Sequence, residues 1–198
     1  MGGPHENLEH AEHAQHVSHA NKKIALQISV LALFLAFSEV LSKGAQTDAI
    51  SENVASSNLW AFFQAKTIRI TVLNALAERL QLDVATTSNT DTRATLEKTI
   101  ARWKATAARY EDEPSTGEGR KQLTVRAREA EHKRDLALAR YHNYEMASAA
   151  FQIGIVLASA AVITAMAMLV WAAGVAGAIG LAFTGIGLWA PHALHLLG

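Results

Sequence analysis

Apolar residues fall in blocks along this chain. "IALQISVLALFLAFSEVL", Ile24–Leu41, is almost unbroken in its apolarity. As a helix it is about 27 Å long, close to the thickness of a bilayer's hydrocarbon core. Lys22 and Lys23 precede it and Lys43 follows. The second block is longer, for no Asp, Glu, Lys or Arg occurs from Phe151 to Gly198. A single helix over that stretch would extend about 70 Å, more than twice the hydrocarbon core, so the segment must fold back. "WAAGVAG", Trp171–Gly177, is the predicted break, with two glycines and an aromatic residue suited to a membrane interface. Small residues recur at four-residue steps in both halves, Ala150, Gly154 and Ala158 in one and Ala176, Gly180 and Thr184 in the other. Such faces let helix backbones approach closely, so they are expected to meet each other or a second subunit.

The polar stretch between the blocks contains one proline, Pro114, and both signs of charge. Its first part reads as a long helix with a broad apolar stripe of Ile50, Val54, Trp60, Phe63, Ile70, Leu73, Ala77 and Leu80. "SNTDTR", 88–93, is a loop in which Asp91 or Thr92 can cap the next helix. That helix carries Leu96, Ile100, Trp103, Ala107 and Tyr110 at the steps of a coiled-coil seam. "EDEPSTGEG" breaks it, and from Arg120 nothing interrupts the helical pattern until Trp171. The expected fold is therefore all-α, an integral membrane protein with three transmembrane helices and a long coiled-coil-like hairpin between the first and second. The expected organisation is a polar tail over residues 1–23, a first span over 24–43, a soluble hairpin stalk over 44–148, a second span over 149–172, and a third with a short C-terminus over 173–198.

Composition narrows the function. Formal net charge is zero, which gives no reason to expect a nucleic-acid partner. Cysteine is absent, so disulfides, thiolate metal sites and thiol catalysis are excluded. No cleavable signal peptide is expected, because the first apolar run starts only at Ile24 and ends in a poor cleavage site. No nucleophile elbow, Ser-His-Asp set, phosphate loop or HExxH order is present, no small-molecule substrate is indicated, and an enzyme is not expected.

Three groups of residues remain as candidates. Glu39 near the end of the first span is expected to pair with Lys43 four residues on, the alternative being a polar site used in assembly or ion passage. Trp60, Phe62 and Phe63, together with the seam around Leu96, Ile100 and Trp103, are candidate contact surfaces, joined inside the membrane by Gly154, Ala158 and Gly180. The tail "HENLEHAEHAQHVSHANKK" places His10, His13, His16 and His19 at three-residue steps. At 100° per residue these spiral round a helix, although adjacent pairs could chelate a divalent metal, the one cofactor the sequence admits. Glu6, Glu9 and Glu12 stand four residues before His10, His13 and His16, an order that supports a helix. His132 and His142 read as surface or packing residues.

The strings "NKKIALQISVLALFLAFSE", "SSNLWAFFQAKTIR", "YEDEPSTGEGRKQL" and "YHNYEMASAAFQIGIVLASAAVIT" resemble a bacterial membrane protein family known as domain of unknown function 4337. Leu59–Lys66 is the most specific part of the likeness, which runs from about Asn21 to the third span and leaves the histidine tail outside. The resemblance implies a bacterial inner-membrane protein with a helical hairpin between its first two spans. It implies no activity, cofactor or catalytic residue. The flanking lysines of the first span favour a cytoplasmic N-terminus and a periplasmic hairpin, whereas Lys133, Arg134 and Arg140 ahead of the second span argue the reverse. The lipid bilayer is the first expected partner. The expected mode of action is self-association or assembly with other membrane subunits, the alternatives being metal binding or pH sensing by the tail and ion conduction through an oligomer.

Overall fold

The computed structural model describes the backbone of residues 4–193 and the side chains of residues 22–193. Within these residues the chain is four helices and no strand: α1 (Pro4–Thr86), α2 (Thr90–Glu111), α3 (Arg120–Thr164) and α4 (Ala167–Trp189). They form two compact units, one of Met1–Asp48 with Leu136–Gly198 and the other of Ala49–Asp135.

In the first unit, early α1 packs with late α3 and with α4. Ile24 meets Ala158, Ala161 and Ala173, while Leu31 meets Ala147 and Phe151. Rising numbers on α1 thus meet falling numbers on α3, and the two run antiparallel. The interior is built of small residues, with Ala147, Gly154, Ala158, Ala173, Ala176 and Gly180 all buried. Large apolar residues point outward, among them Leu26, Leu33, Phe37, Val156, Ile163 and Trp171. Small residues inside and large apolar ones outside suit a lipid surround and would be a liability in water. Three helices of the described residues are long and apolar enough to cross a membrane.

Polar ties close both ends of this bundle. The Ser38 hydroxyl donates to the Tyr144 carbonyl at 3.0 Å, and the Asn143 amide donates to the carbonyls of Ala139 at 2.8 Å and Pro191 at 3.0 Å. At the other end the Gln27 amide donates to the Val170 carbonyl at 3.3 Å.

The turn between α3 and α4 is not where the glycines predict it. Trp171–Gly177 lies inside an unbroken α4, and the chain reverses at Ala165–Met166. The reason is packing: a Cβ at Gly177 would sit 2.7 Å from a Leu31 methyl, so this glycine serves close helix approach and not a bend. Ala165 adopts φ 55°, a left-handed conformation that costs a Cβ-bearing residue about 1 kcal/mol. Ala165→Gly is expected to recover about that amount, read as a small rise in the thermal midpoint in detergent.

The second unit joins late α1, α2 and the start of α3. Asn89 caps α2, its side-chain oxygen accepting from the Thr92 amide at 3.0 Å. Asp91 and Thr92 do not cap it, because the helix already begins at Thr90. The single broad stripe expected on α1 divides in two. Trp60, Phe63, Ile70, Leu73, Ala77 and Leu80 are half-buried or buried, whereas Ile50 and Val54 are exposed. At 100° per residue those two stand roughly 150° from the inward set.

Candidate functional site

Two stretches distant in sequence meet around Lys66. Its side chain is only 5% exposed, and Nζ lies 3.8 Å from Glu113 Oε2. The ammonium also stands 4.6 Å from the Tyr110 ring centroid and 5.2 Å from that of Phe62. A buried cation needs such surroundings, since charge removed from water must be returned by a counter-charge and polarisable faces. Around this centre Arg120 pairs with Glu111 at 2.8 Å and lies over the Phe63 ring. The Trp60 indole donates to Glu131 Oε1 at 2.8 Å and meets Phe63 edge-on. Where α2 gives way to α3, Lys121 and the Gln122 amide both donate to the Asp112 carboxylate. These hydrogen bonds, that of Gln122 first, hold Asp112 below the usual carboxylate range, and the same bond from Lys121 raises the lysine. The arrangement clamps α1, α2 and α3 together.

A second polar group lines an open groove of about 400 Å³ in the first unit. Glu39, Ser42, Lys43 and Gln46 of α1 face Tyr141, Glu145, Ser148 and Gln152 of α3 across it. The expected Glu39–Lys43 ion pair is not formed within 4.0 Å among the described residues. The Tyr141 hydroxyl instead donates to Glu145 at 3.0 Å, which pushes the phenol upward. Ser148 Oγ is buried and without a partner, while Tyr144 O, the carbonyl four residues back, already accepts from Ser38. The groove thus holds two carboxylates, one ammonium and several neutral polar groups.

The remaining candidates divide by where the chain spends them. Gly154, Ala158 and Gly180 are buried inside the first unit, Gly154 against the Ala173 carbonyl and Gly180 against the Phe151 ring. Ile100 is buried, and Leu96, Trp103, Trp60, Phe62 and Phe63 are half-buried by the chain itself. His132 and His142 are exposed. The side chains of His10, His13, His16 and His19 lie outside the described residues. Among the described residues no three His, Cys, Asp or Glu converge.

Among the described residues, the outward face of α1 in the second unit is left uncovered. Ile50, Val54, Ile68, Val72 and Leu82 are half exposed or more, and Ala61 and Ala75 on the same side are exposed too. The stripe expected from the sequence includes Ile50 and Val54 with the inward residues. Assigning each residue its angle round the helix separates them. The Lys66–Glu113 pairing has no signal in the sequence, because it joins residues distant along the chain.

Fold and site together define an all-helical protein with three membrane-capable helices and a helical segment between the first and second. A family model described as Domain of unknown function (DUF4337) matches residues 20–190. The chain belongs to that family. No curated protein and no solved structure matches it.

Proposed function

We propose that this chain is a non-enzymatic protein of the bacterial inner membrane that acts by association, as a homo-oligomeric scaffold or an accessory subunit of a membrane complex. Three spans would anchor it, with the hairpin centred on Ala49–Asp135 outside the bilayer. The lysines before the first span favour a cytoplasmic N-terminus and a periplasmic hairpin. The observation that carries the reading is the outward face of α1, where large apolar side chains stand exposed along a helix whose opposite face is already packed. An exposed apolar patch of that extent on a polar segment marks a contact surface.

The test is the mass and composition of the particle extracted from native membranes in mild detergent. A defined multiple of 21.3 kDa, or a defined set of accompanying chains, is expected. A lone 21.3 kDa chain at native expression would overturn the reading.

A further inference from the structure

The polar groove of the first unit stands where the apolar parts of three helices end. On α1 the charge-free stretch from Ile24 stops at Glu39, and on α3, followed back from Thr164, it stops at Glu145. The Ser38 hydroxyl on the Tyr144 carbonyl holds these two ends level. α4 finishes there too, because the Asn143 amide donates to the Pro191 carbonyl and a Cβ at Gly187 would strike the Tyr144 ring. Trp189 is 84% exposed at this end, as aromatic residues are at a membrane–water interface. For helices that span a bilayer, this is the level of the lipid headgroups.

The groove has charges to offer. Among the described residues neither Glu39 nor Lys43 takes part in an ion pair, with each other or with any further group. Glu145 has the Tyr141 hydroxyl as a donor. Neighbouring titratable groups face elsewhere: Asp48 is about 180° round α1 from Glu39, and Arg140 and His142 are each about 100° round α3 from Tyr141. Ser148 lines the same groove, is 8% exposed, and its Oγ has no partner. A serine within a helix ordinarily donates to the carbonyl four residues back, but that carbonyl, Tyr144 O, accepts from Ser38. A buried hydroxyl left unpaired is costly, so it favours a ligand that brings an oxygen to it.

A free carboxylate and a free ammonium in one groove are matched by a zwitterion. A primary ammonium brings three N–H donors to the two carboxylates, and a phosphodiester can accept from Lys43 and Ser148. A choline headgroup has no N–H to give, and an anionic headgroup would meet Glu39 and Glu145. A divalent cation would have Lys43 beside it, and among the described residues no third carboxylate or imidazole joins the two. The groove's volume of about 400 Å³ falls within the about 300–1,000 Å³ of small-molecule sites.

We infer that this groove binds the phosphoethanolamine headgroup of a bilayer phospholipid, the ammonium at Glu39 and Glu145 and the phosphate at Lys43 and Ser148. The inference rests on the three-span reading above and does not require the chain to associate.

The test uses the full chain in nonionic detergent, titrated with dioleoyl phosphatidylethanolamine, phosphatidylcholine or phosphatidylglycerol and read by native mass spectrometry. One phosphatidylethanolamine per chain is expected to be retained, several-fold above either of the other two. Glu39→Gln with Glu145→Gln should lower that retention several-fold, and Ser148→Ala should lower it by a smaller factor. Glu97→Gln on α2 should leave it unchanged. Helix content followed by circular dichroism separates loss of the site from loss of the fold, and all three variants should keep it. Equal retention of the three lipids would overturn the inference, as would retention that the double variant leaves intact. Free phosphoethanolamine binding as tightly as the lipid would overturn the assignment to a bilayer component. A chain that an alkaline wash strips from native membranes would remove the three-span reading and this inference with it. A chain that resists the wash and shows no lipid preference would lose this inference alone.

Discussion

Glu113→Ala is expected to lower stability more than any other single change in the second unit. Lys66 is buried against two aromatic rings, with Glu113 as its counter-charge at 3.8 Å. Removing one partner of a buried pair leaves the other charge uncompensated, which costs several kcal/mol. Glu113 keeps 16% of its side chain exposed, so the lower end, about 3 kcal/mol, is expected here. In a chain of this size that is a fall of roughly 6–12 °C in the thermal midpoint, followed by tryptophan fluorescence in detergent. The double variant Lys66→Met with Glu113→Leu removes both charges and should recover most of the loss. A fall of less than about 2 °C for Glu113→Ala would mean that Lys66 finds water without it.

The second large effect lies in the first unit. A Cβ at Gly180 would stand 2.7–2.9 Å from three atoms of the Phe151 ring. Phe151 is 1% exposed and stacks on Phe34 at 5.9 Å, so the ring has nowhere to retreat. Gly180→Leu should therefore separate α4 from α3, at a cost of about 3 kcal/mol or more, and a dispersed detergent particle should become heterogeneous on size exclusion. Gly174→Ala is the contrast. A Cβ there meets only Gln27 Nε2 at 3.8 Å, and stability should hold or rise slightly. Equal damage from both substitutions would show that the Phe151 contact is not what makes Gly180 sensitive, since Ala and Leu both favour a helix more than glycine does.

The membrane-capable helices were legible because lipid imposes one demand, apolarity over a fixed length, and Ile24–Leu41 and the charge-free C-terminal block meet it in plain view. The fold-back was legible too, yet its position was not. Gly174 and Gly177 look like breakers by the rules of soluble helices, but Gly177 is a packing notch for Leu31 and Gly174 stands exposed within the unbroken helix. Ala165–Met166 has neither glycine nor proline to announce a turn. In the second unit the aromatic residues were visible, whereas what they enclose was not. Lys66 reads as an ordinary surface lysine until Tyr110 and Glu113, more than forty residues later, come to surround it. Likewise Glu39 and Lys43 had the right spacing for a pair, but a shared groove with Tyr141 and Glu145 gives both side chains other neighbours. Periodicity locates a face of a helix, and contacts at long sequence range decide what that face is for.

The two-residue link between α3 and α4 also bears on how the protein is made. Without charge or length, it leaves no polar loop to separate them, so as membrane spans the end of α3 and α4 would enter a bilayer as a single hairpin. A nascent chain released just after Thr164 would carry α3 with the Phe151 ring facing lipid and no Gly180 to receive it. Such truncated products, although complete through the first apolar helix and the entire polar segment, are the ones that membrane quality-control proteases should remove.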